Sequence, residues 1–275
     1  MRDLPDFTDP PLNEVVLSIQ FASLTGLKSA HIGLFWERIR SEYPNVSEQA
    51  PIQAVFETFG IPTAQAQPFQ IATFMSPPLP RYWFERSNAP DLLQIQHDRI
   101  LHNWRQQIDS SRVYPRYEAV KASLEKDLEV FQKWLADESI GEIKPNQCEV
   151  TYINIIPTGD DRYEHLEKIT PLWAGAFSGS HPNSLERALV QTTFLFSIDD
   201  APAGRVYVNF QPAFLPNDLT PVVRLEVTAR GRPRGESVAD AFSFLDIERD
   251  QVVRTFAAVT TQEMHKLWGR TDAKR

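Results

Sequence analysis

The sequence predicts an α+β fold: a largely antiparallel sheet with long helices packed on one face, built from two similar strand–helix–strands–helix modules. Three observations predict it. Apolar residues alternate at period two in several separated segments, such as Val15, Leu17, Ile19 and Phe21. One stretch repeats instead at three and four residues: Tyr117, Val120, Leu124, Leu128, Phe131 and Leu135. The order strand, helix, several strands, long helix then occurs twice, without a residue-level repeat. Residues 1–140 and 141–275 are the two modules, expected to form one compact unit.

Taken in order, residues 1–12 form an extended lead-in rich in proline and aspartate, and 14–21 a strand. A helix follows over 29–43 on Ile32, Phe35, Trp36, Ile39 and Tyr43, stopped by Pro44. Residues 52–59 and 70–74 read as further strands, and 76–80, with Pro77, Pro78 and Pro80, as an irregular edge. Residues 81–86 and 92–97 form a hairpin around 87–90. The stripe from Tyr117 to Leu135 is a helix of about 22 residues, with Pro115 at its start and Lys121/Glu125 and Glu129/Lys133 pairs on its outer side.

Residues 148–156 give a strand and 163–169 a short helix. Three more strands follow at 188–198, 205–211 and 222–230, the first two joined as an antiparallel hairpin through 199–204. At the carboxyl end Ser237 with Asp240 caps a short helix. Asp246 caps a longer one carrying Val252, Val253, Phe256 and Val259. Residues 260–263 open a last turn ending at Trp268.

Composition narrows the function. Of 275 residues, 42% are hydrophobic and 23% charged, which suits a folded protein with a sizeable core. The net charge of −8, with Lys and Arg dispersed, argues against nucleic acid as a partner, because phosphate binding needs clustered cations. The one local cluster, Arg230, Arg232 and Arg234, reads as a solvated turn or an anion contact. Cys148 is the sole cysteine, so neither an intrachain disulfide nor a cysteine metal site can form, and reducing cytoplasm fits best. The first residues show no apolar signal region, and no run reaches the ~18 apolar residues of a membrane helix.

The stretch 92–105 turns from an apolar run into a cluster of hydrogen-bonding groups: Gln96, His97, Asp98, Arg99, Asn103, Trp104 and Arg105. It reads as a site, or as a polar network that holds two layers together. In the first reading His97 and Asp98 are an acid–base pair with Arg99 or Arg105 as oxyanion partner. Neighbours on a strand point to opposite faces, which favours the network. Arg99 and Arg105 are expected to share it with Asn103 and with Glu149 or Asn154, and Tyr152 belongs to the same candidate set. Trp104 either stacks on a ligand or packs in the core.

A second candidate is a groove of Asn209, Gln211, Arg224 and Glu226, able to take a peptide, a strand or a small ligand if another layer covers it. The six histidines form no metal-binding pattern, and no glycine-rich nucleotide loop occurs. Ser178, Gly179, Ser180 and His181 lack the elbow context of a hydrolase. No catalytic residue, no metal and no cofactor is therefore assigned.

Certain phrases stand out as a set: Pro11-Leu12-Asn13-Glu14-Val15-Val16 with Ile19-Gln20-Phe21; Gly33-Leu34-Phe35-Trp36; Gln94-Ile95-Gln96 with Arg99 and Asn103-Trp104-Arg105; Glu149-Val150-Thr151-Tyr152-Ile153-Asn154; and Leu245-Asp246 with Trp268-Gly269-Arg270. Across nearly the whole chain this set resembles a family of sporadically distributed, functionally uncharacterised bacterial proteins of about this length. The resemblance implies no activity. A patchy distribution implies an accessory gene, of the kind found at phage-defence or toxin–antitoxin loci. The expectation is a cytoplasmic, non-catalytic binding or interaction protein, antitoxin-like, with a protein partner or as a homo-oligomer, and without membrane or nucleic acid. The alternative is a hydrolase or nuclease-like enzyme with a site around residues 97–105 and Asn154.

Overall fold

A computed structural model describes residues 4–60, 79–87, 90–106, 114–158, 166–173 and 189–273. The strands are β1 (Leu4–Phe7), β2 (Leu12–Phe21), β3 (Asn45–Gln49), β4 (Arg81–Glu85), β5 (Asp91–Gln96) and β6 (Arg99–Arg105). There follow β7 (Pro145–Pro157), β8 (Val190–Ile198), β9 (Ala201–Phe214), β10 (Pro221–Gly231) and β11 (Arg270–Ala273). The helices among the described residues are α1 (Ser29–Ile39), α2 (Tyr117–Asp137), α3 (Val238–Ala258) and α4 (Gln262–Leu267).

Nine strands make one antiparallel sheet in the order β3-β4-β5-β6-β2-β7-β10-β9-β8, and β1 pairs with β11 in a separate ribbon. The alternation of β2 decides which face is packed. Val15, Leu17 and Ile19 are fully buried, and so are Ile95, Ile100, Val150, Leu225 and Phe210, which share their face. On that face α2 lies against β6 and β2, and α3 against β7, β10 and β9. Helix α1 joins through Phe35, whose ring meets Phe84, Phe131 and Trp134 at 5.8, 5.3 and 5.1 Å. Burying this much aromatic and branched surface is the main source of stability.

Several expectations change. The helices are more varied in length than anticipated: α2 and α3 have 21 residues each, but α1 has 11 and α4 has 6. Helix α1 stops at Ile39 rather than Tyr43, because Tyr43 turns inward to Asp127 and its carbonyl accepts the Trp36 indole N–H at 2.9 Å. The two carboxyl-terminal helices are one. Ser237 and Asp240 cap α3, while Asp246 lies in its middle and binds Lys121 and Tyr117 instead of capping.

Residues 99–105 are a strand, and β5 and β6 turn about His97 and Asp98. The lead-in contains β1, and 52–59 form no strand. Of 163–169, Leu166–Lys168 is a single 3₁₀ turn. The expected strand at 70–74, the edge prolines Pro77 and Pro78, and Ser178 to His181 lie outside the described residues.

Candidate functional site

The face of the sheet turned away from the helices is polar. Along β4, β5, β6 and β2 its side chains form a directed relay. Arg81 and the Trp83 indole donate to Gln94 Oε1 at 2.6 and 2.9 Å. Gln94 donates to Asn103 at 2.7 Å, and Asn103 to Glu14 at 2.6 Å. Arg105 pairs with Glu85 at 2.6 Å and stacks over Trp83. Across β7, β10 and β9 the same face carries Arg230 paired with Glu149 at 2.5 Å, and Thr151 hydrogen-bonded to Thr228 at 2.8 Å.

Residues 50–59 cross this face as a strap without regular structure. Their hydrogen bonds run to side chains rather than to a neighbouring backbone. Gln96 accepts the Ile52 N–H and donates to the Ile52 carbonyl, both at 2.8 Å, so one amide satisfies both groups of one residue. Arg99 donates to the Gln53 carbonyl at 3.0 Å and to Gln20 at 2.9 Å. Further along, the Glu57 carboxylate is almost fully buried against Arg205 and accepts the Tyr207 hydroxyl at 2.6 Å. Arg205 also reaches the Thr58 carbonyl at 2.8 Å and covers the Phe59 ring. A cavity of about 80 Å³ lies between strap and sheet, beside Ser18, Gln147 and Arg230.

The stretch 92–105 is therefore divided. Gln96, Asp98 and Arg99 are buried and bound to one another and to the strap. Asn103 belongs to the relay, and Arg105 pairs with Glu85 beside it. The expected bonds from Arg99 to Asn103, Glu149 or Asn154 are not formed, because Gln20 and the strap carbonyl lie closer. His97 sits in the turn, where its carbonyl accepts the Leu24 N–H. Trp104 is 2% exposed on the opposite, helix-covered face.

Tyr152 and Asn154 share that helix-covered face with Trp104; Tyr152 meets the Tyr114 hydroxyl at 3.1 Å and Asn154 donates to the Leu225 carbonyl at 3.2 Å. Of the second candidate set, Arg224 is level with Gln211 and Glu226 with Asn209, and Arg224 pairs with Glu226 at 2.6 Å. All four are half-buried, and no hydrogen bond found between them and the strap joins the two groups.

The sequence reading missed a buried charge network on the helix side. His102 is fully buried, with Nδ1 2.7 Å from Asp127 and Nε2 3.3 Å from Asp91. The Tyr43 hydroxyl donates to Asp127 at 2.9 Å, and Arg86 lies over the Tyr43 ring and 3.4 Å from Asp91. Burial opposes a charge on His102, but the hydrogen bonds and charges of the two aspartates outweigh it and hold its pKa above the ordinary value. Burial, helped by Asp127, pushes the Tyr43 phenol far up, so it stays a donor. One signal was readable: Asp127 interrupts the apolar stripe of α2 between Leu124 and Phe131.

No helix among the described residues is long and apolar enough to cross a membrane. No protein-family model matches the chain, and no curated protein matches it.

Proposed function

We propose that the protein is a non-catalytic binding and interaction protein that engages a second protein chain through the edge strand β8. The observation that carries this reading is the character of that edge. Among the described residues β8 ends the sheet, and its residues Val190–Ile198 include no charged side chain. Phe194 and Leu195, which point to opposite faces, are 43% and 57% exposed. An uncharged edge with apolar side chains and unpaired backbone groups is one that folded proteins ordinarily blunt. The occupant it fits is a second copy: an antiparallel β8–β8 pair brings no like charges together, although each chain carries a net charge of −8.

The non-catalytic part rests on how the acid–base candidates are used. Asp98 is bound to Gln96 and Arg99, Arg99 is also bound to the strap, Arg105 is paired with Glu85, and His97 sits in the turn between β5 and β6. We also read the sheet as two modules meeting at β2 and β7. Each lays down a strand, then a meander whose last strand pairs with the first, then a 21-residue helix. An accessory or antitoxin-like role, which the resemblance implies, in the reducing cytoplasm that a lone cysteine fits, suits a protein built to be joined by another chain.

Light scattering over a concentration series tests the reading. The wild type should be a dimer, and Leu195→Lys a monomer with unchanged far-ultraviolet circular dichroism. A wild type that stays monomeric, yet binds DNA or RNA tightly with a steep salt dependence, would overturn it.

A further inference from the structure

A cavity of about 340 Å³ opens between β1, the first turn of α2, α3 and the end of β7. Its wall is divided by chemistry. Phe7, Val253 and Phe256 make one side apolar; Tyr114, Tyr152 and Arg249 make the other polar. The polar side has more donors than acceptors. The two phenols share one hydrogen bond at 3.1 Å, which uses one of their two protons. Arg249 brings five N–H groups, and its side chain is 15% exposed. It makes a 3.4 Å contact to Asp250, hydrogen-bonds Tyr152 and lies over the Tyr117 ring, which leaves donors to spare, and its Nε is buried without a partner.

Asp250 is the acid paired with Arg249, at 3.4 Å, and it engages one of the five donors. Asp6 is taken by Arg116 at 3.0 Å. Glu118 is exposed and makes no ion pair with Arg249 among the described residues. A guanidinium cannot shed its charge, so a largely buried one with spare donors recognises an anionic oxygen group.

We propose that this cavity binds a small amphipathic carboxylate. Its carboxylate lies on Arg249 and the free tyrosine hydroxyl, and its apolar body lies against Phe7, Val253 and Phe256. This site is separate from the β8 edge and does not depend on it.

The probe is 8-anilinonaphthalene-1-sulfonate, whose sulfonate stands in for the carboxylate, paired with the uncharged N-phenyl-1-naphthylamine. The wild type should bind the sulfonate saturably, and decanoate should displace it. Arg249→Met should weaken sulfonate binding about tenfold or more, as loss of a charge-assisted contact does, while the uncharged probe still binds. Val253→Trp, which fills the cavity, should weaken both probes. The proposal is overturned if the wild type binds neither probe saturably, if decanoate fails to compete, or if Val253→Trp leaves sulfonate binding intact. If Arg249→Met no longer melts cooperatively, Arg249→Lys replaces it and should keep part of the sulfonate affinity; unchanged affinity in a folded Arg249→Met also overturns the proposal.

Discussion

His102 Nδ1 lies 2.7 Å from the Asp127 carboxylate, and the opposite ring nitrogen faces Asp91 at 3.3 Å. An imidazole with a carboxylate on each side serves both best as a cation donating two hydrogen bonds. The folded pKa is accordingly raised, even though burial alone would lower it. The resulting stabilisation is fully present below the unfolded value of 6.5 and is lost as pH rises through the higher folded value. Removing one partner of a buried pair costs about 3–5 kcal/mol. His102→Gln should lose about that in urea unfolding at about pH 6, with a smaller gap to wild type at about pH 9. A gap independent of pH would mean that the folded imidazole is neutral.

Gln96 holds the strap by both backbone groups of Ile52 at once. Gln96→Ala removes one of the two contacts to the Asp98 carboxylate, leaving Arg99 at 3.5 Å, and frees Ile52 to water. The cost should be about 1–3 kcal/mol. Amide exchange at Ile52 and Val55 should quicken by about tenfold or more, while β5 and β6 keep their protection. Uniform acceleration across the sheet would mean that Gln96 supports the whole fold rather than the strap.

Leu128 is 1% exposed in the middle of α2 and belongs to the same packed core as Phe131 and Leu124. Leu128→Ala should cost about 2–5 kcal/mol in chemical denaturation, the range for deleting a buried leucine. A loss below ~0.5 kcal/mol would remove α2 from the core.

These residues also show what a sequence discloses. Helix α2 was legible because its inward residues all face one sheet and obey one period. Residues 52–59 of the strap read as a strand because Ile52 and Val55 are β-formers, but the strap's bonds run to Gln96, Gln20 and Arg99, whose positions no local pattern reports. Strand β6 was hidden for the opposite reason. Both of its faces are filled, with Ile100, His102 and Trp104 on one and Arg99, Leu101 and Asn103 on the other, so no polar–apolar alternation survives. The network of Tyr43, His102 and Asp127 joins residues 25 and 84 positions apart. Of that network, only the carboxylate in the α2 stripe left a local trace.

Glu248 lies on α3 with 0% exposure, and no side chain hydrogen-bonds either of its carboxylate oxygens. Burial pushes its carboxyl well up and the charge of Glu149 adds to this, against the weaker pull of Arg230 and the Gly231 N–H. The folded protein therefore keeps a proton that the unfolded chain releases above its ordinary value of 4.5. Stability falls as pH rises from there, by up to about 1.4 kcal/mol per pH unit from this group, until the folded pKa is reached. Glu248→Gln keeps the shape and cannot ionise. In urea unfolding across a pH series, the variant should match wild type at about pH 4.5 and become steadily more stable than it towards neutrality. A difference that does not grow with pH would show that the folded carboxylate is ionised and held by a partner, and Arg230 would then be the residue to replace.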